Sequence, residues 1–354
     1  MIKYIGSKRR LVPLLSDLFA RSGATTALDM FSGTTRVARA FKQQGAIVTA
    51  VDITRYGEAL ARCYVATDSG QVDMDHLSAE VEHLNGLSGH AGYFTETFCR
   101  DARYVQPFNG ERVDAIRDHL EARRDDPLFP VLLTSLMEAT DRVDSTTGVQ
   151  MAYLKNWAPR SHKDLELRVP DLLPGPGTAV RGNAVDLASQ LGPFDLAYLD
   201  PPYNQHRYIA NYHVWETLVA WDAPEHYGVA NKRVECREPR SSSPFNRKPL
   251  MADALRSVIA DVDAQIVMLS YNDESWLDLQ ELVEACRQRG HVVALAFESG
   301  RYVGARIGIH NHEGHKVGTP GHRKNLEYVL VAGPEEVVEH MVEPFAEARV
   351  ANAA

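Results

Sequence analysis

Asp200-Pro201-Pro202-Tyr203 closes the apolar run Phe194-Asp195-Leu196-Ala197-Tyr198-Leu199, with Gly192-Pro193 before it. Such a run, ended by a Pro-Pro turn, predicts a buried strand that stops abruptly in a loop. The carboxyl ends of strands in an open α/β sheet are where ligands bind. Two prolines fix φ and donate nothing, so the carbonyls of Asp200 and Pro201 can be aimed outward as acceptors beside the carboxylate. Acceptors of that kind suit an amine that must donate. Tyr203 adds a flat ring able to stack on a planar group such as a base.

A second motif lies upstream. Thr25-Thr26-Ala27-Leu28-Asp29-Met30-Phe31-Ser32-Gly33-Thr34-Thr35 precedes a helical pattern through Val37, Ala38, Ala40 and Phe41, which reads as strand, glycine turn, helix. The layout matches a nucleotide-type cofactor site at the end of a first strand. It lacks Gly-x-Gly-x-x-Gly, which disfavours a dinucleotide dehydrogenase, and no Gly-Lys-Ser/Thr is present to hold a triphosphate. The next strand, Ala46 to Val51, ends at Asp52. An acid about 20 positions past the glycine turn is placed to accept from ribose hydroxyls, so an adenosine-containing cofactor is implied. Before both motifs, Lys3-Tyr4-Ile5-Gly6-Ser7-Lys8 leads into the apolar-periodic Leu11 to Phe19, and Ser7 is in position to cap that helix.

Other elements must carry these residues. Further strands are predicted at Ala179 to Ala184, Gln265 to Ser270, His291 to Phe297 and Leu326 to Val331, the third of these runs being the apolar His291-Val292-Val293-Ala294-Leu295-Ala296-Phe297. Between about Ala59 and Leu173 the pattern is helical and mixed in charge, and it ends in Pro174-Gly175-Pro176-Gly177, an inserted helical domain. Within it Tyr153 to Lys163 sets two aromatics among basic residues and is the insert's best nucleic-acid candidate. The stretch Asn204 to Trp215, including Arg207 and Tyr208, is rich in amides and aromatics that suit reading or wedging bases, although a core helix could equally hold Tyr212 and Trp215. Between Asn231 and Lys248, six cations (Lys232, Arg233, Arg237, Arg240, Arg247, Lys248) face two acids, and phosphate contacts are assigned to them. The loop carrying His310, His312, His315 and His322 with Arg323 and Lys324 has no metal-site spacing; no metal is expected, and the loop reads as a polar DNA-facing one.

At 354 residues, with 44% hydrophobic and 24% charged residues, the chain has the make-up of an ordinary globular protein. No apolar stretch approaches the ~20 residues of a membrane span, and Met1-Ile2-Lys3-Tyr4 opens no signal peptide. A cytoplasmic location and no membrane partner are expected. Cys63, Cys99, Cys236 and Cys286 are scattered and read as reduced structural thiols. A net charge of -9 argues against a protein that coats nucleic acid, but leaves room for a basic cleft on an acidic body.

Taken in this order, the Lys3 to Lys8 element, Asp29-Met30-Phe31-Ser32-Gly33-Thr34-Thr35, Asp52 and Asp200-Pro201-Pro202-Tyr203 resemble the D12-class, alpha-group adenine-specific DNA methyltransferases, relatives of the Dam methylase. The resemblance spans roughly residues 1 to 333. It departs at Thr35, where that family often has a second glycine, and at Asn183, where it has an aspartate. The implied fold is a Rossmann-like class I methyltransferase, an α/β doubly wound sheet, with an inserted, mainly helical target-recognition domain. The catalytic domain would comprise residues 1–58 and 178–335, the insert 59–177, and a C-terminal tail 336–354. The resemblance implies S-adenosyl-L-methionine as cofactor, with Asp52 on the ribose, Tyr4 and Lys8 lining the site, and Asp29, Phe31, Ser32 and Gly33 wrapping the methionine end. Thr34, Thr35, Asn183, Ala184 and Asp200 complete the implied cofactor set. Asp200, Pro201, Pro202 and Tyr203 would act on the N6 amine of an adenine flipped out of double-stranded DNA. A cognate restriction endonuclease, in a restriction-modification system, is the partner such an enzyme admits.

Alternatives stay open at this point. The N4 amine of cytosine calls for nearly the same chemistry, though such enzymes more often carry serine at the position of Asp200. RNA or a protein glutamine would call for Asn-Pro-Pro-Tyr. No Pro-Cys dipeptide is present, so covalent C5-cytosine methylation has no candidate nucleophile. A DNA-binding protein with a dead cofactor site is the reading from another class.

Overall fold

The computed structural model describes residues 2–5, 8–203, 205, 207–238, 241–300, 309–310, 316–318 and 324–350. Gly6, Ser7, Asn204, His206, Arg240, His312, His315, His322 and Arg323 lie outside them, as do the side chains of His310 and Lys324. The strands are β1 (Thr26–Asp29), β2 (Ile47–Asp52), β3 (Gly177–Arg181), β4 (Phe194–Leu199), β5 (His226–Tyr227), β6 (Lys232–Arg233), β7 (Ala264–Asn272), β8 (His291–Gly300), β9 (Ile309–His310), β10 (Lys316–Gly318) and β11 (Lys324–Gly333). The helices are α1 (Val12–Ser22), α2 (Arg36–Gln43), α3 (Arg55–Ala61), α4 (Met74–Asn85), α5 (Pro107–Glu121), α6 (Phe129–Arg142), α7 (Ala184–Leu187), α8 (Tyr208–Asn211), α9 (His213–Ala220), α10 (Lys248–Asp261), α11 (Leu279–Arg287) and α12 (Glu335–Val342). The N-cap position of α1 is Leu11, with no side-chain cap and a proline in the first turn, whose preset φ favours the helix start; the expected Ser7 cap falls on a residue outside the described ones.

Seven strands form the main sheet, in the order β3-β2-β1-β4-β7-β11-β8. The pairs β2 with β3, β1 with β4, and β4 with β7 are parallel, while β11 runs antiparallel to both its neighbours. This is the doubly wound α/β fold the sequence predicts, with one reversed strand. The order switches direction between β1 and β4, the position at which such sheets open a crevice at their carboxyl ends. Asp29 and Asp200 stand there: Asp29 pairs in register with Tyr198, two residues before Asp200. Asp195 fixes that register at the other end. It accepts from the backbone N–H groups of Thr25 and Thr26 at 2.8 and 2.9 Å and from the Thr25 hydroxyl, and these bonds pull its pKa down to about 2.

The chain divides into two compact units: residues 1–7, 31–184 and 206–243, and residues 8–30, 185–205 and 244–354. The first has a continuous apolar core in which Phe94, Phe98, Ile116 and Leu136 from the helical region meet Tyr212, Trp215 and Leu218 of α8 to α9. Its arginines are mostly tied within the unit: Arg112 donates to the carbonyls of Asn85 and Leu165, buried Arg117 to those of Leu218 and Val219, and Arg123 to Glu80 and Asp126. The charge run through the insert is therefore largely a lattice of internal partners. In the second unit α11 packs on β8 and β11, and α12 packs on the same two strands and on α1. All four cysteines are buried and free, with burial pushing the thiols of Cys63 and Cys286 up to about 12, which suits inert structural groups. No helix among the described residues is long and apolar enough to cross a membrane.

Candidate active site

The turn Asp200 to Tyr203 belongs to the second unit. The β4 strand is fully buried over its last four residues because Leu196, Ala197, Tyr198 and Leu199 face layers on both sides, and the Pro-Pro turn stops it with Asp200 partly covered. A lysine meets it there. The Lys8 ammonium, on a single helical turn (Lys8–Arg10), lies 2.9 Å from Asp200 Oδ1 and 3.5 Å from Glu327 Oε2. It also sits over the Tyr203 ring, 5.7 Å from the centroid. Tyr203 leans on Tyr271 edge to face, centroids 5.9 Å apart. Burial pushes the Asp200 carboxyl up to about 6, against the lowering effect of Lys8. Burial opposes the charge on Lys8 too, but Asp200 and Glu327 outweigh it and hold the ammonium well above the ordinary lysine value. Lys8, expected to line the cofactor site, lies against the Asp200 carboxylate, and Glu327 is a neighbour that the sequence did not reveal.

The cofactor motif lies in the first unit from Phe31 onward. Asp52, at the end of β2, accepts from the Gly33 N–H at 2.8 Å through Oδ2, and from the Thr54 N–H and hydroxyl at 2.8 and 2.6 Å through Oδ1. Burial raises its pKa while these bonds lower it. A carboxylate has about four lone-pair sites, and the Ile53 N–H adds to these three bonds in lowering the pKa. Thr54 caps α3 by accepting from Gly57 N–H, and Gly57 lets the helix come up against the Asp52 carboxylate: a Cβ there would stand 2.5 Å from Asp52 Cγ. The signal was present in Asp52-Ile53-Thr54-Arg55-Tyr56-Gly57 as an N-cap threonine three residues before a glycine. Tyr4 covers Gly33, whose missing Cβ would be 3.2 Å from the tyrosine hydroxyl. It stacks on Tyr212 and Tyr208, centroids 4.8 and 5.3 Å away. Burial, followed by the neighbouring tyrosines, raises its pKa well above the ordinary value. Gly182 N–H bonds to the Asp52 carbonyl at 3.0 Å, so Asn183 and buried Ala184 follow directly at the same strand ends.

The turn between β1 and α2 uses two left-handed residues, Gly33 at φ 48° and Thr35 at φ 61°. A β-branched residue there carries strain of about 1–2 kcal/mol, which explains why a glycine serves at this position in the family the sequence resembles. Thr35 is fully buried and its hydroxyl donates to the Thr34 carbonyl at 2.7 Å. Glycine would relieve the φ but lose about 1 kcal/mol in chain entropy and packing. T35G is therefore expected to melt within about 1 kcal/mol of the parent and to keep its cofactor affinity. Thermal denaturation with and without cofactor checks this.

The basic segment needs correction at one position. Arg233 is 2% exposed; its guanidinium forks onto both Asp222 oxygens at 2.7 Å and onto Glu235 at 2.8 Å. It is an internal ion-pair partner rather than a phosphate ligand. Arg55 extends this network to Glu235 and to buried Glu216 at 3.0 and 3.1 Å. Arg237 is exposed with its guanidinium 3.6 Å over the Tyr227 ring, Lys232 Nζ lies 3.3 Å from Met151 Sδ, and Arg207 donates to the Cys236 carbonyl. Arg247 and Lys248 are exposed where α10 begins, in the second unit. In the insert, Arg103 stacks over Trp157 at 4.8 Å, while Lys155 and Asn156 are exposed.

A family model described as D12 class N6 adenine-specific DNA methyltransferase matches residues 4–285. The chain is 28% identical over 329 residues to the Type II methyltransferase M.NlaIII of Neisseria lactamica, covering 88% of this chain and 96% of that protein. It is 27% identical over 306 residues to the modification methylase StsI of Streptococcus sanguinis, covering 81% of this chain but 46% of the relative, so it spans about half of that protein's length. The Type II methyltransferase M.CviAII of Paramecium bursaria Chlorella virus 1 is 27% identical over 302 residues, covering 82% and 89%. No solved structure matches the chain significantly.

Proposed function

The chain belongs to the D12 class N6 adenine-specific DNA methyltransferases, and from that premise we propose that it transfers a methyl group from S-adenosyl-L-methionine to the N6 amine of an adenine flipped out of duplex DNA. One observation carries the reading: a partly buried carboxylate, Asp200, ends the strand at the switch point of the sheet, followed at once by a rigid Pro-Pro-Tyr turn. Cofactor chemistry is consistent with the turn that follows β1. Ser32 Oγ is buried with no hydrogen-bond partner among the described residues, and Tyr4 fills the space a side chain at position 33 would need. Asp52 would hold the ribose, Asp29 to Gly33 the methionine end, and Tyr4, Asn183 and Ala184 the rest; when bound, the cofactor supplies an electrophilic methyl group.

An exocyclic amine is a poor nucleophile because its lone pair is delocalised into the ring. Hydrogen bonds from that amine to the Asp200 carboxylate and the Pro201 carbonyl favour a more tetrahedral nitrogen with its lone pair free. With Oδ1 held by Lys8, Oδ2 is the oxygen assigned to the amine. Tyr203 stacks on the extruded base. Catalysis of this kind is positioning and electrostatics, worth several kcal/mol from each source. Residues 59–177 serve as the target-recognition insert, and Arg207, Tyr208, Lys232, Arg237, Arg247 and Lys248 face the DNA backbone. The likeness to Type II methyltransferases supports a Type II modification role, with a cognate restriction endonuclease as its proposed partner.

The test is methyl transfer from labelled cofactor to genomic DNA, with the modified nucleosides identified by mass spectrometry. N6-methyladenine is expected; N4-methylcytosine, or no label in DNA, would overturn the reading. A pH dependence follows. Because the Asp200 carboxyl titrates near 6, its protonated form persists well above the ordinary carboxylate range, and that form cannot accept through both oxygens. The single-turnover rate is expected to be flat above pH 7 and to fall about tenfold per unit below pH 6.

A further inference from the structure

Glu327 has no place in the chemistry above, yet it stands beside the reacting carboxylate. It comes from β11, and its side chain is 13% exposed. Its Oε1 accepts from Asn272 Nδ2 at 2.9 Å, and Glu327 and Asn272 are directly opposed across the β11 to β7 pairing, so the clamp is a cross-strand pair. Its Oε2 is aimed at the Lys8 ammonium, 3.5 Å away, while Asp200 holds that ammonium at 2.9 Å. Two carboxylates thus divide one lysine. Gathering a second, partly buried carboxylate beside the first is unfavourable unless something uses it, because like charges resist sharing a site.

We propose that Glu327 is a positioning residue that shares the charge of Lys8 with Asp200, offsetting part of the ammonium's pull and keeping the Asp200 carboxylate basic enough to accept from the substrate amine. The inference rests on the methyl-transfer reading. Without the second carboxylate, the ammonium already in contact with Asp200 at 2.9 Å would be unopposed, and the acceptor would be more fully neutralised before the base arrived. Among the described residues, the charged and titratable groups facing Asp200 are Lys8 from the short helix, Glu327 from β11, Tyr198 from β4 and Tyr203 from the turn. Glu327 adds to the proton affinity of Asp200 and Lys8 subtracts from it. Removing the Glu327 charge therefore leaves a net acidifying change at Asp200.

The experiment is the single-turnover pH profile of the full chain on DNA carrying its recognition site. E327Q is expected to move the acid limb to lower pH by on the order of one unit, while E327D, which keeps the charge, retains the parent profile. A role confined to folding would scale the rate at every pH without moving the limb. Should E327Q lose its circular dichroism signal, Glu327→Met replaces it: a side chain of similar length without the charge, with which the limb is expected to move the same way. A limb that stays in place, or moves to higher pH, overturns the inference. If D200A keeps its turnover, the methyl-transfer reading itself has failed; if D200A is dead and the E327Q limb is unmoved, only the role of Glu327 has failed.

Discussion

D200A is expected to lower the single-turnover rate of methyl transfer by at least about a thousandfold while the protein still binds the cofactor measurably. The size follows from losing a preorganised acceptor at the reacting nitrogen, an effect of two to three orders of magnitude at comparable sites, together with loss of orientation. The variant also strips Lys8 of its nearer carboxylate, leaving Glu327 at 3.5 Å as the remaining anion. Breaking a largely buried pair from one side is destabilising by about 3 kcal/mol, so the melting temperature should fall as well. D200N separates the two effects: it keeps an oxygen acceptor and the side-chain volume but removes the charge. D200N should retain more stability than D200A and remain strongly impaired, because its amide presents an N–H where a carboxylate oxygen stood. Quench-flow turnover and calorimetric cofactor titration of both variants make the measurement. Near-normal turnover in D200A would remove Asp200 from the mechanism, whereas near-normal turnover in D200N would remove only the need for its charge.

The strands that frame this site were legible because each is a short apolar run with a turn signal on its carboxyl side. Phe194 to Leu199 is one such run, and the sheet uses it with the same bounds. Asp52 was legible by its distance from Gly33, and the structure joins the two by a hydrogen bond. Thr35 stood out as a departure from a family pattern, but only the backbone shows why, since a left-handed φ leaves no trace in residue type when the residue is not glycine. The carboxylate cluster was hidden for another reason. Lys8 and Glu327 come from opposite ends of the chain, and no periodicity links an N-terminal turn to the reversed strand β11. Arg233 was misread because counting charge along a segment cannot tell which arginine already has carboxylates waiting. Asp222 precedes the basic stretch and Glu235 lies inside it, and together they bury a group that local composition assigns to phosphate.

The second large effect is expected at Gly57. In the first turn of an ordinary helix, glycine to alanine stabilises by roughly 0.5–1 kcal/mol, because alanine loses less chain entropy and shields the backbone. At Gly57 that gain is overwhelmed. The new Cβ would stand 2.5 Å from Asp52 Cγ, 2.7 Å from Oδ1 and 2.8 Å from Cβ, and a short side chain rooted in β2 cannot swing clear of all three. Either Asp52 rotates away, releasing the N–H of Gly33 and both bonds from Thr54, or the start of α3 lifts from the strand. Both responses disturb the carboxylate proposed to hold the ribose. G57A is therefore expected to weaken cofactor binding by at least about tenfold, the equivalent of one lost charge-assisted hydrogen bond, and to lower the melting temperature despite its better helix propensity. Gly86, at the end of α4, is the control. An added Cβ there meets its nearest neighbour, the His83 carbonyl, at 3.4 Å, an ordinary contact, so G86A should match the parent in both measurements. Isothermal titration with the cofactor and a thermal melt decide the case: equal affinity in G57A and G86A would mean that the Asp52 carboxylate is not held where the cofactor needs it.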